Sequence, residues 1–392
     1  MRILILSFYH PPDVGPGAFR TAGLVEALRN RLSNADEIEV LTTQPNRFEG
    51  MLANAASEEA NANVVIRRCP LPRVQAGVAG RTRLFNAYAL HVRRWTAGRS
   101  FDVVYASSAR MLTAWLGAVV ARRTGAQLYV DFRDILANDM FALYPHTALF
   151  FNPMLRAVEN FVAGRAARIN VVSAGFAPYF RSRWKDLLCD EVPNGIDGEV
   201  LAFNYSAQRR TGASTRTILY AGAIGHCQAL HRIVPPLADA LRETHRFVLV
   251  GNGSARRHIE RAVTGMPNVS IVDPMPRAEL LFHYALSDVL FLHLHEHDAF
   301  RMVLPSKLIE YAATGKPILA GVAGYPADFA RREIPGVALF DPYDVPGALR
   351  ALGKIEMKSV SRSDFIAAFD RGLLMEKLAL CVLSVTAEPA RA

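Results

Sequence analysis

Short β-branched apolar runs alternate with helix-length segments along this chain, and the alternation occurs twice. The runs at 3–6, 38–41, 64–66, 103–105, 128–130 and 169–172 are separated by segments such as 20–31 and 111–124. This alternation marks a parallel sheet whose two faces are covered by crossover helices. The pattern restarts with runs at 218–220, 247–250, 269–271, 289–292, 318–320 and 338–340, and helices are predicted near 228–243, 254–264, 277–286 and 305–314. The fold expected is α/β, with two Rossmann-like, doubly wound parallel-sheet domains. A chain of 392 residues exceeds the size at which a single core stops growing, which also calls for two. The boundaries expected are 1–200 for the first domain, a linker at 201–215 containing the polar run 204–215, 216–365 for the second domain, and a C-terminal helix in 366–392 that packs back toward the first. Ligands of such sheets sit at the carboxyl ends of the strands, so the active site is expected in an interdomain cleft.

Hydrophobic residues at 51% and charged residues at 21% exclude a disordered or fibrous chain. The four cysteines (Cys69, Cys189, Cys227, Cys381) are far apart, with no CxxC pair and no Cys/His spacing for a metal, so a reducing compartment without structural zinc is expected. The run at 3–6 is too short for a signal peptide. The regions 101–121 and 372–385 are cut by Arg110 and by Glu376 with Lys377, so no membrane span is expected. The net charge of +9 lies almost wholly in the first half: 1–190 carries +8 and 191–392 carries +1. Such a field suits an anionic partner, phospholipid or nucleic acid.

Several strand ends carry residues suited to chemistry. After the first strand, Gly15 and Gly17 open a helix and would let amides approach a phosphate with Arg20 nearby; a plain turn is the alternative. After the fifth, Asp131-Phe-Arg133-Asp134 could hold a sugar hydroxyl or form a surface ion pair. Val192-Pro-Asn-Gly-Ile-Asp197 need be no more than a turn. The second domain opens on a loop with Gly222 and Gly225, and its next strand runs into Gly251 and Gly253; both loops fit nucleotide or phosphate approach. In 304–318, Pro305 and Gly315 bound a short helix whose N-terminus, Ser306 and Lys307, would meet a diphosphate. Glu310, one turn on, could take a ribose diol; an amphipathic helix with a solvated Lys307–Glu310 pair is the alternative. Residues 81–99 hold five arginines and no acid, and Leu84, Phe85, Tyr88, Val92 and Trp95 fall on one helical face, which reads as a membrane-surface helix or as the core face of a domain helix.

These segments together, in order and spacing from about residue 2 to 352, resemble the retaining glycosyltransferases of family 4, and more closely their polysaccharide and O-antigen assembly branch, with the GT-B fold. The resemblance implies a nucleotide diphosphate-sugar donor, UDP-linked by preference, held by the second domain, and a saccharide or polyprenyl-linked acceptor held by the first. It places Gly15, Gly17, Gly222 and Gly225 at the donor phosphates, Gly251, Gly253 and Met275 near the base, and Glu310 on the ribose. The arginine and lysine common after the second-domain glycine are replaced by Ala223 and Gln228, and the first member of an E-x7-E pair by Met302. Arg301 and Lys307, with Ser306 and Arg20, are the candidates to supply that charge. Breaking the anomeric bond builds negative charge on the diphosphate, so Lys307, Glu310, Arg133 and Asp134 are the catalytic candidates, Asp134 as acceptor-positioning or proton-accepting group. No metal and no cofactor beyond the donor co-substrate are expected. The resemblance and the basic 81–99 segment together imply a cytoplasmic protein, peripheral on an anionic membrane surface; no nucleic-acid motif appears. A soluble natural-product acceptor, an epimerase of the same fold and a catalytically silent homologue are the alternatives.

Overall fold

The computed structural model describes residues 1–13, 15–46, 55–72, 78–135, 145–205 and 215–386. Residues 206–214 of the expected linker and 387–392 of the expected C-terminal segment lie outside these. The chain divides into two compact units, Met1–Asn194 with Arg371–Ala392, and Gly195–Asp370. The helices used below are α1 (Pro16–Arg31), α2 (Val78–Trp95), α3 (Met111–Thr124), α4 (Pro145–Arg165), α5 (Leu230–Ala240), α6 (Arg277–Leu286), α7 (Ser306–Ala313) and α8 (Arg371–Ser384). Among the described residues, no helix is long and apolar enough to cross a membrane.

Unit 1 is an eight-stranded sheet of β1 (Arg2–Leu6), β2 (Glu37–Thr43), β3 (Glu58–Asn61), β4 (Val64–Cys69), β5 (Val103–Ser107), β6 (Gln127–Phe132), β7 (Arg168–Val171) and β8 (Leu188–Glu191). Their order is β3-β4-β2-β1-β5-β6-β7-β8. The pairings are parallel except β3 with β4. The order reverses beside β1, which pairs with β2 on one side and β5 on the other, so the loops after β1 and β5 part at a switch point. Pro16, which has no N–H to leave unpaired, starts α1 directly after Gly15. The last helix, α8, belongs to this unit and lies on α1. Gly23 makes room for it, since a Cβ there would stand 2.9 Å from Met375 Cγ, and Arg31 pairs with Glu376 at 2.6 Å.

The apolar face of α2 is part of this unit's core. Phe85, Tyr88 and Val92 are buried, and Tyr88 Oη donates to the Leu41 carbonyl at 2.7 Å. Trp95 Nε1 donates to Glu39 at 2.8 Å while Arg67 lies 3.9 Å above the ring. The stripe that could have faced a membrane is therefore committed to packing, and the exposed side of α2 carries Arg81, Arg83, Arg93 and Arg94 with Thr82, Asn86 and Leu90.

Unit 2 is a six-stranded, fully parallel sheet: β9 (Arg216–Ala221), β10 (His245–Val250), β11 (Val269–Val272), β12 (Val289–His293), β13 (Ile318–Gly321) and β14 (Val337–Phe340), ordered β11-β10-β9-β12-β13-β14. Ile218, Tyr220, Phe247, Leu249 and Phe291 from the sheet close its core against Leu230, Ile233, Val234 and Leu237 of α5. Here the order reverses at β9, which again parts the loops that follow β9 and β12.

Candidate active site

In unit 2 the chain leaves β9 at Ala221 and turns at once through Gly222, whose φ of 136° L side chains rarely adopt. Gly251 stands at the same place after β10, with φ 147°, and a Cβ on it would collide with the Gly222 carbonyl oxygen. The two loops lie against each other as bare backbone: Gly222 N donates to Val250 O at 2.8 Å, and Ile224 N to Asn252 O at 2.9 Å. Gly253 fits the same layer, a Cβ there standing 2.6 Å from Ile224 O. Gln228 closes the first loop by accepting from Gly225 N at 3.1 Å. The Lys307 ammonium arrives over this layer, so close that a Cβ on Gly222 would collide with it, and it lies 5.4 Å from the centroid of the Tyr220 ring.

A bond one turn along α7 explains why Lys307 stands there. Tyr311, fully buried, accepts from the Ala221 amide at 2.9 Å, which fixes α7 to the end of β9. No side chain caps the first turn of α7, so Ser306 and Lys307 bring its positive end to the glycine layer. Glu310 is held from the other side. Its Oε1 accepts from Arg277 Nη1 at 2.8 Å and from Tyr284 Oη at 2.7 Å, and its Oε2 has no hydrogen bond among the described residues. Arg277 also reaches Asp197 at 3.2 Å. Burial pulls the Arg277 guanidinium down, but Glu310, Tyr284 and Asp197 outweigh it and hold it above its ordinary value, so it is a permanent cation. One carboxylate oxygen is thus anchored by two donors and the other by none.

In unit 1 the centre is Asp131, which is wholly buried. It accepts from Arg20 Nε at 2.8 Å and Nη2 at 3.0 Å, from Tyr105 Oη at 2.8 Å and from Asn170 Nδ2 at 2.7 Å. Burial works to raise this carboxyl, but the Arg20 charge and hydrogen bonds hold it below its ordinary range. Arg20 also donates to the carbonyls of Val192 and Pro193, at 2.9 and 2.8 Å. Its donors are taken up inside the protein, and it is 2% exposed. The expectation that Arg20 meets a donor phosphate is corrected accordingly: it ties α1, β6 and the turn at 192–194 together. Arg133 has the outward position instead. Its backbone is set by Ser108 at 2.9 Å, its Nη1 reaches Asn194 at 3.4 Å, and its guanidinium lies 3.8 Å from where a Cβ on Gly17 would stand. It makes no ion pair among the described residues, and Asp134 beside it is exposed.

Residues 17–190 match the family model of the Glycosyl transferase 4-like domain, and residues 215–355 that of the Glycosyl transferases group 1. The chain belongs to the family 4, group 1 glycosyltransferases. Among solved structures, the transferase is similar to a sucrose-phosphate synthase from Thermosynechococcus elongatus, with 16% identity, TM-score 0.68, and 98% of this chain and 96% of that one covered. It is similar also to Anabaena HepE in complex with UDP-glucose, with 16% identity, TM-score 0.65, and coverage of 98% and 99%. A third likeness is to WaaG, a glycosyltransferase involved in lipopolysaccharide biosynthesis, with 13% identity, TM-score 0.56, and coverage of 98% and 97%. At these identities the likeness is one of fold, and the fold is GT-B. No curated protein sequence is detectably similar to the transferase.

The remaining candidates are spread through the transferase. Gly15 caps α1. Met275 is half-buried in the segment between β11 and α6, two residues before Arg277. Arg301 is exposed and pairs with Glu296 at 3.6 Å, while a Cβ on Gly324 would stand 2.8 Å from its own Cβ. Sequence reasoning missed the residues that set this cluster: Arg277 and Tyr284, which clamp Glu310, and Tyr311, which places α7. It also missed His293, whose Nδ1 donates to Gln228 O at 2.7 Å and so joins β12 to the glycine loop. Burial pushes that imidazole down to about 4. Tyr311 had a local signal, four residues after Lys307 on a short helix, whereas Arg277 and Tyr284 had none.

Proposed function

We propose that this transferase moves a sugar, with retention of configuration, from a nucleotide diphosphate-sugar, UDP-linked by preference, to a saccharide or lipid-linked acceptor of cell-surface polysaccharide assembly. The observation that carries the donor reading is the Lys307 ammonium over the Gly222–Gly251 backbone layer, one helical turn from a Glu310 with a single anchored oxygen. A diphosphate laid on that layer meets the ammonium and the first turn of α7 at the atoms where negative charge grows as the anomeric bond breaks. Glu310 Oε2 then accepts from the ribose hydroxyls, and the base lies toward Met275. Because Gln228 is used to close the loop, Lys307 is the main compensating charge, and no metal is required.

On unit 1, Arg133 receives an anionic part of the acceptor and Asp134 orients or deprotonates the attacking hydroxyl. The acceptor's lipid class and the inner membrane face are part of this reading. They are supported by the basic side of α2 and by the exposed Leu112 on α3 and Phe151 and Met154 on α4, near Arg156 and Arg165. The assembly role draws on the lipopolysaccharide enzymes that share the fold.

The test is a thermal-shift and hydrolysis screen of the purified protein against UDP-, GDP- and dTDP-sugars, with and without chelator, beside Glu310→Ala. Stabilisation by UDP-sugars that survives chelation and is lost in the variant is expected. A folded protein that responds to no donor would overturn the reading and leave a silent homologue.

A further inference from the structure

Arg362 lies behind the Lys307–Glu310 cluster of unit 2, at the far end of α7. It is 4% exposed, and its guanidinium meets the last turn of that helix. Nη1 donates to the carbonyls of Ala312 and Lys316, both at 3.1 Å, and Nε to the Pro335 carbonyl at 3.0 Å. The segment that carries it is tied to the same end, since Val360 N donates to Gly315 O at 2.9 Å. The last carbonyls of a helix have no partner within it, so Arg362 serves α7 as a cap from outside. A cap does not need a charge. A neutral amide would serve the same carbonyls, whereas a guanidinium taken out of water with no carboxylate beside it is costly. Arg362 makes no ion pair among the described residues, and burial, with no acid opposing it, pulls the group down to about 10, which leaves it a cation at neutral pH. Its Nη2 is buried without a hydrogen-bond partner as well. What the charge adds, and an amide would not, is a field along α7.

The other end of α7 is short of positive charge. Ala223 and Gln228 stand where an arginine and a lysine are common, and Arg277 is engaged by Glu310 and Asp197, so Lys307 alone remains beside the glycine layer. A helix carries about half a positive charge at its N-terminus and half a negative charge at its C-terminus. With Arg362 on the C-terminal carbonyls, the negative end is more than cancelled. The eight residues of α7 put the guanidinium about 12 Å from the first turn. Adding a contact at each end gives about 16 Å to a phosphate bound there, and at an effective dielectric constant of about 20 each negative charge on the ligand then gains roughly fivefold in affinity.

We propose that Arg362 is a second cation of the donor site, acting through α7 from its far end on a diphosphate it does not touch, and that it replaces part of the charge absent at positions 223 and 228. The inference rests on the donor reading given above.

Scaling with ligand charge separates this role from a structural one. The full chain, Arg362→Gln and Arg362→Lys are titrated by calorimetry at pH 6.5 with UDP-glucose, whose diphosphate is doubly negative, and with uridine, which is uncharged but offers the same ribose to Glu310. Arg362→Gln is expected to weaken UDP-glucose by about 10- to 25-fold and uridine by less than about twofold, while Arg362→Lys keeps UDP-glucose within about threefold of the parent. Equal losses of both ligands in Arg362→Gln would show that the residue only holds α7 in place, and would overturn the proposal. Unchanged binding of UDP-glucose in that variant would overturn it too. Should Arg362→Gln not fold, Arg362→Lys decides: UDP-glucose retained supports the proposal, and a loss of about tenfold or more with the charge still present refutes it. A parent protein that binds neither ligand would remove the donor reading and this inference with it, whereas a parent that binds both confines any failure to Arg362.

Discussion

Replacing Arg20 by leucine removes the two charge-assisted hydrogen bonds, at 2.8 and 3.0 Å, that neutralise a carboxylate with no solvent exposure. Asp131 keeps only Tyr105 and Asn170, both neutral donors. Removing one partner of a buried pair in this way destabilises by roughly 3–5 kcal/mol. For a unit of about 200 residues that is a fall in Tm of about 10 °C, read by scanning calorimetry. Two further readouts separate this cause from lost packing. Adding Asp131→Asn to Arg20→Leu should restore most of the loss, because the stranded charge is gone. The pH dependence should also change sign. In the parent protein the Asp131 carboxyl is held below its ordinary range, so its contribution is complete above the unfolded pKa and is lost on acidification. In Arg20→Leu the burial that works to raise the carboxyl is unopposed by Arg20, and the variant should recover stability as pH falls from 7 to 5. Donor KM should stay within about twofold, since Arg20 donates to Asp131 and to backbone carbonyls inside unit 1. A loss under about 1 kcal/mol, or an Asp131→Asn double variant no more stable than the single one, would refute the reasoning.

Other outcomes follow from the same geometry. Lys307→Met should reduce kcat/KM by about 100-fold or more, the scale of removing one preorganised charge from a leaving group, and Gly222→Ala should mimic it in part by displacing the ammonium. Tyr284→Phe takes one donor from Glu310 and should raise donor KM roughly fivefold, about 1 kcal/mol, with kcat little changed; an unchanged KM would show that the clamp has no bearing on binding. His10 in unit 1 and His293 in unit 2 are both pushed down to about 4 from 6.5. Their contribution is full above pH 6.5 and lost as pH falls toward 4, so lowering pH from 7 to 5 should cost about 2 kcal/mol through each imidazole, read by calorimetry as the difference in pH dependence between the parent and His10→Gln or His293→Gln.

The central strands of the two sheets were legible because β1, β5, β9 and β12 bury apolar runs on both faces. β3 was not: its sequence Glu-Glu-Ala-Asn is exposed throughout and becomes a strand only by pairing with β4. The 81–99 helix was readable as amphipathic, but the surface its apolar face meets is decided largely by β2, 47 positions away at the Tyr88–Leu41 bond. Lys307 and Glu310 were found through the punctuation of one short helix by Pro305 and Gly315. Their partners were not, because Arg277 and Glu310 are 33 positions apart and only the order of strands in the sheet brings them together. Arg20 shows the opposite limit: its place beside a glycine loop suggested a ligand, whereas three dimensions supply a buried carboxylate.

The chain leaves unit 1 at Asn194 and returns to it at Arg371. On the ribosome, the intervening 176-residue unit can therefore complete its sheet while the first is still short of α8, the helix that covers Gly23 and pairs with Arg31. Unit 1, begun first, is the later of the two to finish, because its maturation waits for α8. A chain broken off just before Arg371 would thus keep unit 2 whole and injure the unit that had been made before it.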